Sequence, residues 1–251
     1  MAKIRVEADG AVRTVTLTRG EKRNALDDEM LQALEAAFKE VPPAEERVTV
    51  IRAEGPVFCA GMDLKARKTS INGISVIEAM LHAIETYPLP VVGVVHGDAI
   101  AGGNELALHC DIVVARSTAR FGMSLAQIGL APTWFLAKKL LEVAGPVKTR
   151  EFLFLGDPFP ATQMHAMGLI ARVAEPDDFE SEVTKIVDRL TANAPLSLKA
   201  MKALLVREMC FRDGIYHKDV DQLVADASNS TDAQEGVKAR LEKRKAEFLG
   251  R

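Results

Sequence analysis

Two short, largely apolar runs, Val48 to Ile51 and Val91 to Val95, are each followed within a few residues by a glycine-bearing turn. No other feature constrains the fold as tightly. The first turn reads Gly55-Pro-Val-Phe58-Cys59-Ala60-Gly61-Met62-Asp63-Leu64, and the second Gly97-Asp98-Ala99-Ile100-Ala101-Gly102-Gly103-Asn104-Glu105. Apolar runs of strand length bounded by turns read as strands buried on both faces, the habit of parallel sheets. Such sheets bind ligands at the C-terminal ends of their strands. Glycine at those ends lets backbone N–H groups approach a ligand closely. Two free N–H groups converging on one point make an oxyanion hole. Taken singly, either turn reads equally well as a tight strand-to-helix connection.

The rest of the chain fits an α/β sheet. Ile4-Arg-Val-Glu, Asp9-Gly10 and Val12 to Thr18 read as a β-hairpin, with Asp-Gly as its turn. Met30, Leu31, Leu34, Phe38 and Val41 have helical spacing, so a helix is predicted over 28–41, capped by Asp27 or Asp28 and stopped at Pro42-Pro43. A second helix is predicted over 74–86, and Ile112 to Ala115 reads as a third strand. From about residue 133 the chain reads as almost entirely helical. One helix carries Phe179, Val183, Ile186, Val187 and Leu190, and the next Leu198, Met201, Leu204 and Leu205. A third carries Ile215 and Val224, and a last one Val237, Leu241 and Phe248. Strands alternating with helices, then a helical tail, argue for a parallel-sheet core.

Charge and composition exclude several functions. Lys and Arg number 32 against 35 Asp and Glu, a net charge of −3 with no basic stripe, which argues against a nucleic-acid partner. No apolar stretch approaches the ~20 residues that span a bilayer, so no membrane association is expected. The N-terminal ten residues carry no apolar leader segment. The three cysteines, Cys59, Cys110 and Cys210, form no CxxC pair and read as free thiols of a cytoplasmic protein. None of the five histidines forms an HxxxH or HExxH pair, so no metal site is expected.

Read together and in order, these segments resemble the crotonase superfamily, also called the enoyl-CoA hydratase/isomerase family. The resemblance begins at Thr18-Arg-Gly-Glu-Lys-Arg-Asn24-Ala25-Leu26, where Gly20 replaces a family proline. It continues through Phe58-Cys-Ala-Gly-Met-Asp63-Leu, through Val95-His-Gly97 to Gly103-Asn-Glu105-Leu, and through Cys110-Asp111-Ile. Phe121-Gly122, Ile128-Gly129-Leu130-Ala131-Pro132, Ala166-Met-Gly168-Leu169-Ile170 and Glu242-Lys-Arg-Lys-Ala-Glu-Phe248 follow. The match spans essentially the whole chain.

The resemblance implies a crotonase-like spiral of ββα turns over 1–194 and a helical trimerisation region over 195–251, assembled as a homotrimer or a dimer of trimers. It implies an acyl-CoA thioester as substrate, with no cofactor beyond the coenzyme A that the substrate carries. The backbone N–H groups of Met62 and Gly102 are the implied oxyanion hole. Lys22, Arg23 and Ala25, with Ala60, Asp63 and Leu64, fall where the family meets coenzyme A, and Lys245 and Phe248 where a neighbouring subunit's tail adds contacts. Solvated loop and tail positions are the plainer readings of Lys22, Arg23, Lys245 and Phe248.

Glu105 falls where the family's hydratases keep one of two catalytic glutamates. In the first turn of a helix it is equally the kind of residue that stabilises the helix dipole. The second hydratase glutamate follows an F-G-x-P-E pattern, and here Phe121-Gly-Met-Ser-Leu125 places a leucine at that position. A leucine neither accepts a hydrogen bond nor carries a proton, and general acid–base groups contribute ~10²–10⁴-fold. Gln127, Thr133, Trp134, Asp157 and His82 are the nearby residues that bear on the acyl pocket. Trp134 reads either as a pocket wall or as core, and Asp111 as structural.

The sequence therefore points to an enolate-forming acyl-CoA enzyme with Glu105 as base. Enoyl-CoA hydratase-type lyase chemistry leads; double-bond isomerisation, thioester hydrolysis and decarboxylation are the alternatives on the same fold. An acyl-CoA-binding protein with little catalysis is the alternative of a different class, motivated by Leu125.

Overall fold

The computed structural model describes residues 2–65 and 75–250. The chain opens with a hairpin of β1 (Ile4–Asp9) and β2 (Val12–Leu17), in which Asp9 pairs with Val12 and Gly10 takes a φ of +54°. Helix α1 (Asp28–Lys39) follows, capped by the Asp27 side chain, which accepts the N–H of Met30. It ends at Glu40, just before the two prolines. Then come β3 (Val48–Ala53), α2 (Val76–Thr86), β4 (Val91–Val95), β5 (Ala99–Ile100) and α3 (Gly102–Leu108). The expected start of α2 at residue 74 lies outside the described residues.

The second half contains β6 (Ile112–Arg116), β7 (Arg120–Gly122), α4 (Trp134–Leu155), β8 (Phe159–Pro160), α5 (Ala161–Ala166), β9 (Arg172–Ala174) and α6 (Phe179–Ala192). It closes with α7 (Pro195–Glu208), α8 (Lys218–Asn229) and α9 (Thr231–Glu242). Helix α4 is broken at Gly145, whose φ of +65° is non-helical, next to Pro146. Two of the expected helices are shorter than their apolar periodicity suggested. Ile215 precedes α8. Phe248 lies beyond α9 because Lys243 turns left-handed (φ +57°) and ends the helix, after which Arg244 pairs with Glu235 and the N–H groups of Leu249 and Gly250 reach Asp232.

The main sheet has the order β1-β2-β3-β4-β6-β9, parallel throughout except for the opening hairpin. A second, small sheet has the order β5-β7-β8. Both faces of the main sheet are covered. Val15, Leu17, Ile51, Val91 and Val95 pack with α1, α2 and α3 into the larger core. Val48, Val50, Val92, Val94 and Val114 pack under Phe179, Val183 and Leu190 of α6 on the other. This two-sided burial is why β3 and β4 read as runs rather than as alternations.

Helix α7 is anchored by one buried cation. Lys202 pairs with Asp111 at 2.6 Å and donates to the carbonyls of Ile84 and Leu89. Asp111 also accepts the N–H of Val91. The structural reading of Asp111 rests on these bonds. Among the described residues no group of three or more His, Cys, Asp or Glu is placed to hold a metal ion, and no helix is long and apolar enough to cross a membrane.

Candidate active site

The two glycine turns meet at the ends of β3 and β4. The loop after β3 is laced between the 24–26 segment and β5. Leu26 N–H donates to Gly61 O at 2.8 Å, Asp63 N–H to Leu26 O at 2.8 Å, Cys59 N–H to Asp98 O at 3.1 Å and Ile100 N–H to Cys59 O at 2.9 Å. Gly61 has a φ of +91°, and a Cβ there would lie 2.8 Å from Ile100 O and 3.1 Å from Gly102 N. Only glycine permits that approach, and it brings Met62 beside the start of α3.

Ala101 then holds φ +50° and ψ −116°, a conformation that costs a non-glycine residue about 1–3 kcal/mol and that clusters at functional sites. Its N–H is fixed on Gly122 O at 2.7 Å. The turn leaves the Gly102 N–H as the first of the helix, where no intrahelical acceptor exists. Neither the Met62 nor the Gly102 N–H has a backbone acceptor among the described residues. Both residues line a cavity of about 350 Å³.

The walls of that cavity are mostly apolar. Leu125 is on it, with Ala60, Leu64, Ile77, Met123 and Leu136. Its polar side chains come from Asp28, Ser75, Ser124, Thr133 and Arg240. Of the residues read from the sequence, Ala60, Met62, Leu64, Gly102 and Leu125 are thus brought together on one surface.

The others do not line it. Lys22 and Arg23 are exposed on the loop whose Arg23 carbonyl accepts the Ala60 N–H at 3.0 Å. Ala25 and Asp63 are tied to Arg19, Ala25 through its carbonyl and Asp63 by an ion pair at 3.2 Å. The Trp134 ring stacks on His217 at 4.5 Å, and Thr133 and Leu136 are its neighbours that reach the cavity. Lys245 and Phe248 sit on the exposed tail, Phe248 against a separate hollow that includes Ala126, Gly129 and Asp226. Gln127 bonds Leu155 O and Asp157.

Glu105 is fully buried and does not line the cavity. Its N–H makes the first bond of α3, to Ala101 O, and neither carboxyl oxygen has a hydrogen-bond partner among the described residues. Burial pushes its pKa up to about 8, opposed by the charge of Lys139. Burial thus favours the protonated, neutral carboxyl. One turn on, the ring of His109 holds Glu105 O through Nδ1 at 2.7 Å and stacks on Phe135. Burial drives the His109 pKa down to about 3, so it is neutral as well.

Sequence reasoning missed Arg240, Asp28 and Glu78. Glu78 bonds Thr133, 55 residues away. Asp28 and Glu78 belong to ordinary amphipathic helices, and nothing in their local pattern sets them apart.

A largely parallel sheet whose glycine turns bring Met62 and Gly102 to one apolar cavity, followed by a helical tail, fits the crotonase architecture. A solved enoyl-CoA hydratase from Mycobacterium avium subsp. paratuberculosis superposes with a TM-score of 0.86 at 25% identity, covering 99% of each chain. A methylmalonyl-CoA decarboxylase structure superposes at 0.91 with 24% identity, covering 99% of this chain and 98% of that one, and so shares the fold. The enoyl-CoA hydratase/isomerase family model matches residues 7–251. Enoyl-CoA hydratase EchA19 of Mycobacterium tuberculosis is 32% identical over 256 residues, 98% of this chain and 96% of that protein. The chain belongs to the enoyl-CoA hydratase/isomerase family.

Proposed function

We propose that the protein is an acyl-CoA enzyme that forms a thioester enolate, with the Met62 and Gly102 N–H groups on the thioester oxygen. Each such donor is worth ~3 kcal/mol at the transition state because the dipoles are fixed before charge develops. Lys22 and Arg23, exposed next to Ala60, are suited to the coenzyme A phosphates. No further cofactor enters this reading.

The reaction this site serves best is decarboxylation of an α-carboxyacyl-CoA, such as a malonyl-type thioester. The observation that carries this reading is Leu125 on the cavity wall, where water activation would need a carboxylate. Decarboxylation needs no base. An apolar wall disfavours a carboxylate and favours the neutral CO2 it becomes, and the electron pair left behind is the enolate that the two N–H groups stabilise. The full-length fold match to a methylmalonyl-CoA decarboxylase fits this reading. Enoyl-CoA hydration is the second reading, favoured by Glu105 beside the oxyanion loop and by the hydratase relatives.

The test is to offer malonyl-CoA, methylmalonyl-CoA and crotonyl-CoA separately in heavy-oxygen water. CO2 release with no label in the crotonyl-CoA reaction supports decarboxylation. Label in 3-hydroxybutyryl-CoA without CO2 release moves the assignment to hydration. Tight binding with neither reaction returns the protein to the acyl-CoA-binding class.

A homotrimer, or a dimer of trimers, goes with this reading. Leu196, Met201, Leu204 and Leu205 of α7 and Leu223 of α8 are large apolar residues left exposed on one chain, and burying them between copies is the expected use of the C-terminal helices.

A further inference from the structure

Forming an enolate solves half of the reaction; the α-carbon must then receive a proton. Glu105 does not line the acyl cavity, and Leu125 has no proton to give. Among the cavity's hydroxyl groups, Thr133 is distinguished by its partner. Its Oγ1 donates a hydrogen bond to the Glu78 carboxyl, and Glu78 lines a second cavity, of about 850 Å³, on the far side of that wall. The second cavity is bordered by exposed residues, Glu40 and Val41, so solvent reaches it. Thr133 and Glu78 thus bridge the two cavities.

We infer that Thr133 and Glu78 form a proton path through this wall, in which the Thr133 hydroxyl protonates the α-carbon of the enolate and Glu78 replaces that proton from the second cavity. The inference rests on the enolate reading above. The enolate's electron pair forms the new C–H bond while the Thr133 O–H bond breaks and the thioester C=O is restored. The Glu78 proton passes to Thr133 Oγ1, and water in the second cavity reprotonates the carboxylate. Decarboxylation consumes one proton per turnover, which this route supplies.

The valences close. A threonine hydroxyl donates once and accepts twice. Here it accepts from the Leu136 N–H at 3.5 Å and donates to the Glu78 carboxyl; when Glu78 takes up a proton the bond turns round, Glu78 donates, and the hydroxyl hydrogen is freed for the cavity. Burial holds the Glu78 carboxyl above its ordinary range, against the lowering effect of the Thr133 bond; Asp221 adds to the rise and His217 opposes it. Glu78 also accepts the Ser75 N–H, reaching back across the first turn of α2. That contact is a capping-box arrangement, so a purely structural role is the competing account.

The experiment is deuterium exchange at C2 of propionyl-CoA in heavy water, with binding measured separately. Glu78→Gln keeps a capping acceptor but loses the acid. Thr133→Val loses the hydroxyl, and Thr133→Ser keeps it. Glu78→Gln and Thr133→Val are each expected to slow exchange ~10²-fold or more, with affinity for propionyl-CoA unchanged. Thr133→Ser is expected to stay close to the wild type. The double variant is expected to be no slower than either single one, because the two groups act in series. Wild-type exchange in Glu78→Gln overturns the path whatever Thr133→Val does to folding. Absence of both C2 exchange and CO2 release from malonyl-CoA in a wild-type protein that binds propionyl-CoA overturns the enolate reading itself.

Discussion

Replacing Gly103 by alanine tests the oxyanion site at its tightest point. A Cβ at this position would lie 2.2 Å from Cys59 O, 2.8 Å from Cys59 C and 2.8 Å from Cys59 Cβ. Non-bonded contacts relax only near 3.5 Å, so α3 and the loop must part by roughly 1 Å. Neither side yields cheaply. Cys59 O accepts the Ile100 N–H at 2.9 Å, Cys59 N–H donates to Asp98 O at 3.1 Å, and the Ala101 N–H is fixed on Gly122 O. Overpacking of this kind costs about 1–3 kcal/mol of stability. The same movement separates the Met62 and Gly102 N–H groups, and a displacement of ~1 Å at a reacting centre costs ~10²-fold in rate. The assay pairs urea unfolding with C2 exchange on propionyl-CoA. Gly214→Ala serves as control, since a Cβ there meets nothing within 4 Å. A Gly103→Ala protein with the wild-type unfolding midpoint and exchange rate would refute the close approach of α3 to the Cys59 loop.

Three further outcomes are expected. Leu125→Glu puts a carboxylate on the cavity wall; hydration of crotonyl-CoA is expected to rise ~10²-fold or more and CO2 release from malonyl-CoA to fall, and a variant with no gain in hydration counts against this placement of residue 125. Glu105 has its pKa raised from 4.5 to about 8, so its proton is held more tightly folded than unfolded. Below about pH 4.5 both states are protonated and stability is intact; between there and pH 8 the unfolded chain ionises and stability falls, by on the order of 5 kcal/mol in all. Glu105→Gln is therefore expected to gain on the wild type in urea unfolding at pH 8 and not at pH 4.5, and a difference independent of pH speaks against the buried neutral carboxyl. Lys202→Ala leaves Asp111 with only the Val91 N–H and is expected to cost about 1–3 kcal/mol, read as a lower unfolding midpoint and faster proteolysis of the C-terminal helices.

Much of the site was legible locally. The apolar runs at 48–51 and 91–95 became β3 and β4, and the turns behind them brought Met62 and Gly102 to one cavity. Glycine at 61 and 103 is readable because a Cβ has nowhere to go. The helix over 28–41 stopped where two prolines follow. Less legible was the tail, where Phe248 keeps the helical spacing of α9 but the chain leaves the helix at Lys243 to satisfy Asp232 and Glu235. Trp134, equally compatible with pocket wall and core by its position, stacks on His217, which lies just before α8 far along the chain.

The hairpin, the strands at 48–51, 91–95 and 112–115, the glycine turns and the leucine at 125 are written in the sequence, because each depends on a residue and its near neighbours; the short strands β5, β7, β8 and β9, two of them in the stretch after 133 that reads as helical, and the order of the sheet appear only in the packed structure. Which way the Glu105 carboxyl points, and that Glu78 meets Thr133, depend on how α2, α3 and α4 are rotated about their axes when they pack. A helix can turn by one residue without changing its apolar pattern much, yet that turn moves a carboxyl from one side of a wall to the other. Only the packed structure fixes it, because the free energy that sets the rotation is shared among contacts from every neighbouring element.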